Sequence, residues 1–123
     1  MRQPNPSFNA GAPKRTACPS RGRPIDLVHL SRQTLGDTVL EQEVLGLMGR
    51  QIEVFACRID LATDEERRHI AHALKGAARN IGAFALADAA EVFEQAPADG
   101  IARAALGDEM RRTSAFITGL NPA

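Results

Sequence analysis

One of the clearest helix start signals in the chain opens residues 63–82, TDEERRHIAHALKGAARNIG. Thr63 and Glu66 form a capping-box pair, and the acidic residues between them place negative charge in the first turn, where the helix dipole favours it. Apolar residues then recur at three- and four-residue intervals as far as Gly82, a residue type suited to end a helix. The stretch predicts an amphipathic helix from Thr63 to about Gly82.

A helical wheel divides this helix into two faces. At about 100° per residue, one broad arc is predicted to face the core and holds Ile70, Ala73, Leu74, Ala77, Ala78 and Ile81. The opposite side holds Glu65, Arg68, His69, His72, Gly76 and Arg79, with Lys75 at its edge. His72 is therefore expected to point away from the core.

Four more helices are predicted outward from this segment. Towards the N-terminus, a short lead-in helix carries Leu27, Val28 and Leu30 and breaks near Gly36. Asp37 can cap a long helix to about residue 60, with apolar positions at Val39, Leu40, Val44, Leu47, Met48, Ile52, Phe55 and Ile59. Towards the C-terminus, a helix from Phe84 to Gln95 is stopped by Pro97, and Asp99 can cap a last helix that ends at Gly119.

These elements predict an all-α fold, because no strand-like alternation of useful length is present. Residues 25–123 are expected to form an antiparallel four-helix bundle with short connections and a short N-terminal lead-in helix. Residues 1–24 hold five of the seven prolines and five basic residues but no acidic one. We expect a disordered, basic, Pro-rich tail, since this composition offers too little apolar surface to offset chain entropy.

Overall composition gives no indication of a nucleic-acid or membrane partner. Lys plus Arg equal Asp plus Glu at 15 each, so net charge predicts neither nucleic-acid nor membrane binding. No apolar run is long enough to span a membrane, and Cys18 and Cys57 form no disulfide framework, so a cytoplasmic location is expected. Cys57 falls in an apolar pattern and is predicted to be buried. The apolar stripes predict a monomer, with a dimer through an exposed helix left open.

The exposed face of the third helix carries chemically useful groups. A neutral imidazole is a good nucleophile, so His72 can accept a phosphoryl group without a built-in general base. Gly76 lies one turn later in mid-helix, where glycine costs about 1 kcal/mol relative to alanine, and it leaves space beside the imidazole. Lys75, Arg79 and Arg68 add positive charge suited to a phosphoryl group. No Gly-rich phosphate loop or Mg²⁺-binding carboxylate cluster is present, so no ATP site is expected.

The stretch His72 to Leu86, HALKGAARNIGAFAL, resembles the signature of histidine-containing phosphotransfer (HPt) domains. It matches the pattern His-x-Leu-Lys-Gly, then two small residues, two variable ones, an aliphatic residue, Gly, and Leu four residues further on. Glu91-Val92-Phe93-Glu94 resembles the family's continuation, and Gly36-Asp37 resembles its usual opening. The resemblance covers about residues 25–118.

The resemblance implies a phosphorelay role. His72 would be the phosphoacceptor, taking the group from the phosphoaspartate of one receiver domain and giving it to another, on response regulators or hybrid histidine kinases. Lys75 would hold phosphoryl charge and Gly76 would admit the receiver. No cofactor is expected on this chain, and Mg²⁺ is expected on the receiver. Arg68, His69, Arg79 and Gly82 are assigned to partner binding, and Gly82 also to the tight passage between helices.

Two other interpretations stay open. A module that binds receivers without accepting phosphate would sequester them, and transfer assays separate it from a phosphocarrier. Glu65, His69 and His72 have a spacing that can share a cation, but zinc sites normally use three or four protein ligands, so no metal site is predicted. Whether the chain is an enzyme is left undecided, because a phosphocarrier is a transfer intermediate. His29 is assigned no role.

Overall fold

The computed structural model describes residues 23–120. Within them lie five α-helices and no strand: α1 (Leu27–Gln33), α2 (Thr38–Arg58), α3 (Asp64–Ile81), α4 (Phe84–Gln95) and α5 (Gly100–Leu120). A 3₁₀ turn at Ile59–Leu61 follows α2. The predicted all-α bundle with a lead-in helix is confirmed. The predicted tail lies almost entirely outside the described residues.

Local capping signals set the helix boundaries. The Asp37 carboxylate accepts hydrogen bonds from the backbone N–H groups of Val39 and Leu40. Both bonds of the predicted capping box between Thr63 and Glu66 are present. Asp99 accepts from Ile101 N–H at 3.0 Å. Because each cap satisfies N–H groups that the first turn leaves without partners, the helices begin close to where the sequence predicts.

The four long helices close into a ring. α3 packs most closely on α4, α4 packs on α5, α5 on α2, and α2 on α3. Small buried side chains allow the close approach of α3 and α4, and these are Ala71 and Ala78 on α3 and Ala87 and Ala90 on α4. Large side chains from every helix fill the core, including Leu30, Met48, Leu74, Leu86, Phe93 and Leu106. Burial of each such side chain contributes about 1.5–3 kcal/mol.

α1 is fixed against the turn between α3 and α4. Gly82 ends α3 with φ +88°, in the left-handed region, and its carbonyl accepts from Asp26 N–H at 2.9 Å. The Nε2–H of His29 donates to the Asn80 carbonyl at 3.1 Å, and its ring meets Phe84 edge-on at 5.2 Å. His29 therefore has a structural role that the sequence did not reveal.

Three predictions about the buried faces are wrong. Ala73 is exposed and Ala71 is buried in its place, because α4 packs closely on α3 and rotates the buried arc towards itself. On α2 the apolar residues Val39, Leu40 and Leu47 are exposed, while Leu45, absent from the predicted stripe, is buried. Cys57 is also exposed, since it lies on the side of α2 away from the other helices.

Candidate functional site

His72 projects from the middle of α3 with 71% of its side chain exposed. It does not stand alone, however. Its Nδ1 lies 3.0 Å from Oε2 of Glu94 on α4. The predicted exposure is present, and the ring leans towards the neighbouring helix instead of pointing straight away from the core.

Glu94 joins the histidine to a lysine. Its second oxygen, Oε1, accepts a hydrogen bond from Lys75 Nζ at 2.8 Å. Lys75 and Glu94 are both largely covered, with 17% and 25% of their side chains exposed. The hydrogen bond from Lys75 lowers the pKa of Glu94 below its ordinary value, and the hydrogen bond from His72 lowers it further. Glu94 is therefore an ionised carboxylate at neutral pH.

This pairing selects one tautomer of His72. An ionised carboxylate only accepts hydrogen bonds, so the proton of the neutral imidazole must lie on Nδ1, which donates to Glu94. Nε2 then carries the free lone pair. The arrangement presents one nucleophilic nitrogen on an exposed ring.

The other basic residues of this face are also paired with carboxylates. Arg79 donates to Glu91 Oε1 at 2.7 Å, one turn before Glu94 on α4. Arg68 lies 3.7 Å from Glu65, and His69 lies 3.5 Å from the same carboxylate. The positive charge predicted around His72 is present, but each of these groups has an acidic partner in the chain.

The two glycines assigned to the site differ. Gly76 is exposed, and a Cβ atom built on it would meet nothing within 4 Å, so the helix surface beside His72 is open. Gly82 is buried, and a Cβ there would lie 2.8 Å from the Asp26 carbonyl oxygen. The structure therefore brings His72, Lys75, Gly76 and Arg79 onto one surface, and Gly82 does not belong to it.

Within residues 23–120, the fold brings no further metal-binding side chain to the group of Glu65, His69 and His72. Among residues 23–120, no group of three or more His, Cys, Asp or Glu side chains is arranged to hold a metal ion. Glu65 and His69 lie near each other on α3, whereas His72 turns towards Glu94 on α4.

An apolar groove of about 410 Å³ lies between α1, α2 and α3. Its lining includes Leu40, Leu47 and Ala77, and His72 is not part of it. The lining holds no titratable side chain, and its one hydroxyl, that of Thr34, donates to the Leu30 carbonyl oxygen. The open surface at His72 is therefore the better candidate site.

The family model described as Hpt domain matches residues 38–116. The chain belongs to the Hpt domain family. The matched segment begins at α2 and includes both His72 and Glu94, while α1 lies before it. No curated protein and no solved structure matches the chain.

Membership of the Hpt family assigns the chain to the histidine phosphotransfer proteins of phosphorelays. The predicted family is thereby confirmed. Between residues 23 and 120 no helix is both long and apolar enough to cross a lipid bilayer.

Glu94 is the site residue that sequence reasoning missed. Glu94 ends the stretch Glu91-Val92-Phe93-Glu94 that resembles the family's continuation, but the sequence does not reveal its contact because it lies on a different helix from His72. The spacing of the charged residues on α3 and α4 does, however, indicate such contacts. Lys75 and Arg79 are one turn apart on α3, and Glu91 and Glu94 are one turn apart on α4. Because two antiparallel helices joined at Gly82 run in opposite directions, Arg79 can pair with Glu91 and Lys75 with Glu94.

Proposed function

We propose that this Hpt protein carries a phosphoryl group on Nε2 of His72, taking it from the phosphoaspartate of one receiver domain and passing it to another. The observation that carries the proposal is the hydrogen bond between His72 Nδ1 and Glu94, on a ring that is 71% exposed. It leaves Nε2 unprotonated and accessible to a partner protein.

The forward step forms one bond and breaks one. The Nε2 lone pair attacks phosphorus, the bond between phosphorus and the aspartyl oxygen breaks, and the receiver regains a carboxylate. The proton on Nδ1 stays in place, so positive charge develops on the ring as the nitrogen–phosphorus bond forms. Glu94 lies 3.0 Å from Nδ1 and offsets this charge in the transition state.

The return step depends on the same contact. An imidazole that keeps its Nδ1 proton leaves as a neutral ring when a second receiver aspartate attacks phosphorus. A ring without this proton would leave as an anion, which is a poorer leaving group. Glu94 therefore supports transfer in both directions, as a relay requires.

Partner access depends on the open helix surface. A receiver must bring its aspartate, and the Mg²⁺ that we expect it to hold, up to Nε2. Gly76 leaves this approach free of side-chain atoms. Lys75 and Arg79 provide positive charge at its edge, and both are positioned by carboxylates of α4. We expect Arg68 and His69 to contact the receiver at the opposite end of this surface.

The test is transfer from a panel of radiolabelled phosphorylated receiver domains to the full chain. We expect label on the wild-type chain and on Ala105→Gln, which alters an exposed position of α5, but not on His72→Gln. The adduct should be acid-labile and alkali-stable, as a phosphoramidate is. Label retained by His72→Gln would overturn the proposal. Receiver binding without any transfer would instead support a sequestering module.

A further inference from the structure

Arg67 is a charged residue on the side of α3 that packs against the core. It lies one turn before Ala71, and Leu74 and Ala78 continue the same line along the helix. Those three residues are buried, and Arg67 itself is partly buried. A charged group seldom lies at such a position unless hydrogen bonds satisfy it, so the partners of Arg67 indicate what it does there.

The guanidinium group of Arg67 donates to three backbone carbonyl oxygens. Its Nε donates to Ile59 at 2.8 Å and its Nη2 to Asp60 at 3.3 Å, both in the turn between α2 and α3. Its Nη1 donates to Pro97 at 3.1 Å, in the loop between α4 and α5. Pro97 is buried. Arg67 therefore joins α3 to two loops that are distant in the sequence.

The contact with Pro97 bears on the position of Glu94. α4 ends at Gln95, so Glu94 lies in the last turn of the helix. The last turn has carbonyl groups without intrahelical partners, and helix ends fray unless other contacts hold them. Arg67 holds the carbonyl of Pro97, three residues after Glu94. The end of α4 is thereby tied to α3, the helix that carries His72.

Core packing near Glu94 leaves its carboxylate on a separate side of α4. Phe93 is fully buried, but the next residue is turned from it by about 100° around the helix. Glu94 Oε2 lies 3.0 Å from His72 Nδ1, and a separation of about 3.6 Å is no longer a hydrogen bond. A displacement of less than about 1 Å at the end of α4 therefore breaks this contact.

We propose that Arg67 is a positioning residue for phosphotransfer, which holds the end of α4 against α3 and so keeps Glu94 at Nδ1 of His72. The proposal rests on the phosphotransfer function proposed above. The hydrogen bonds of Arg67 go to backbone carbonyls and not to the His72 ring, so it acts through Glu94. Removal of Arg67 should consequently slow transfer only while Glu94 is present.

A double-mutant cycle tests this dependence by single-turnover transfer from a labelled receiver. Arg67→Met keeps a long side chain but loses the donors, and it should slow transfer about fivefold. In the Glu94→Ala background the same change should have no further effect, because the contact that Arg67 maintains is already absent. Slowing by the same factor in both backgrounds would overturn the proposal.

Arg103→Met is the matched control for a general loosening of this end of the bundle. Arg103 on α5 donates to both carboxylate oxygens of Asp60, at 2.8 Å and 3.2 Å, and these bonds do not involve Pro97. Its replacement should lower the urea midpoint but leave the transfer rate within about twofold of wild type. If Arg103→Met slowed transfer as much as Arg67→Met, the tie to Pro97 would not be the cause.

Nitrogen NMR of the His72 ring tests the positioning without any receiver. At about pH 9, where an imidazole is neutral, wild-type Nδ1 should have the chemical shift of a protonated nitrogen and Nε2 that of an unprotonated one. Arg67→Met and Glu94→Ala should both move these two shifts towards each other, because the ring then samples both tautomers. His29, whose Nε2–H donates to Asn80, is the internal reference and should not change.

An unchanged His72 spectrum in Arg67→Met would overturn the proposal. Wild-type chain that shows these shifts but accepts no label would contradict the proposed function, while still showing that Arg67 controls the contact of Glu94. Arg67→Lys replaces Arg67→Met in both experiments if the latter is unfolded by circular dichroism. Lysine keeps the charge but lacks the planar fork, so a smaller slowing of about threefold is expected, again only with Glu94 present.

Discussion

His72 and Glu94 come from different helices, and their hydrogen bond of 3.0 Å joins the exposed imidazole to a carboxylate already held by Lys75. The bond sets the tautomer of the ring and places a negative charge behind it. Both effects require the close packing of α3 on α4. In the proposed mechanism, the reactivity of His72 therefore depends on the packing of α3 on α4.

Glu94→Ala should slow phosphotransfer without removing the acceptor. A hydrogen bond to a charged group contributes about 1.5–3 kcal/mol, so its loss in the transition state should slow transfer about ten- to a hundredfold. Glu94→Gln should fall between wild type and Glu94→Ala, because the amide oxygen still accepts from Nδ1 but carries no charge. Single-turnover transfer from a labelled receiver gives the rates.

The matched control for this series is Glu91→Ala. Glu91 lies one turn earlier on α4 and pairs with Arg79, without a hydrogen bond to His72. Its removal should change the transfer rate by less than about fivefold, because an exposed ion pair contributes at most about 1 kcal/mol. Equal losses in Glu91→Ala and Glu94→Ala would argue for a general charge effect and against a specific role of Nδ1.

The stabilisation provided by Glu94 should depend on pH. Its pKa lies below the ordinary value of 4.5, first because of the hydrogen bond from Lys75. A carboxyl whose pKa is lower in the folded chain stabilises the fold above its unfolded pKa, and this stabilisation is lost as pH falls through the folded pKa. The free energy of unfolding should therefore differ between wild type and Glu94→Gln at about pH 7, and this difference should shrink below about pH 4.5.

Urea denaturation at several pH values measures this difference. Glu53→Gln is the control, because Glu53 is exposed on α2 and forms no ion pair in the described part of the chain. It should change the free energy of unfolding little at any pH. A gap between wild type and Glu94→Gln that stays constant down to about pH 3 would contradict the assignment.

Replacement of Gly76 by a larger residue should raise the stability of the fold but hinder the approach of the receiver. Nothing lies within 4 Å of a Cβ at this position, so Gly76→Gln should fold and gain about 0.5–1 kcal/mol from better helix propensity. The added side chain should nevertheless obstruct the receiver and slow transfer by about tenfold or more. Ala105→Gln, at an exposed position of α5, should leave transfer unchanged. A Gly76→Gln chain that transfers at the wild-type rate would show that the receiver does not approach over this glycine.

The sequence predicts the helix ends better than the helix faces. Thr63 and Glu66 are three residues apart, so their capping box is visible in any short window. The core contains Ala71 and not the predicted Ala73, because α4 is the helix that packs closest to α3. The pattern of a single helix does not reveal its closest neighbour. Glu94 was missed for the same reason, since its partnership with His72 exists only once α4 folds back along α3.

Gly82→Ala should destabilise the fold strongly. An alanine at φ +88° costs about 1–2 kcal/mol, and its Cβ would lie 2.8 Å from the Asp26 carbonyl oxygen. That oxygen belongs to backbone whose N–H is bonded to Gly82 itself, so relief of the overlap must loosen α1. A total loss of about 2–4 kcal/mol is expected in urea denaturation.

Two substitutions identify the cause of this loss. Gly76→Ala makes the same chemical change elsewhere in α3 and should stabilise the chain by about 0.5–1 kcal/mol. Gly82→Asn keeps the Cβ overlap but tolerates positive φ better than alanine, so it should be less destabilising than Gly82→Ala while remaining below wild type. If Gly82→Ala were as stable as Gly76→Ala, the left-handed turn would not be the feature that fixes α1 against the bundle.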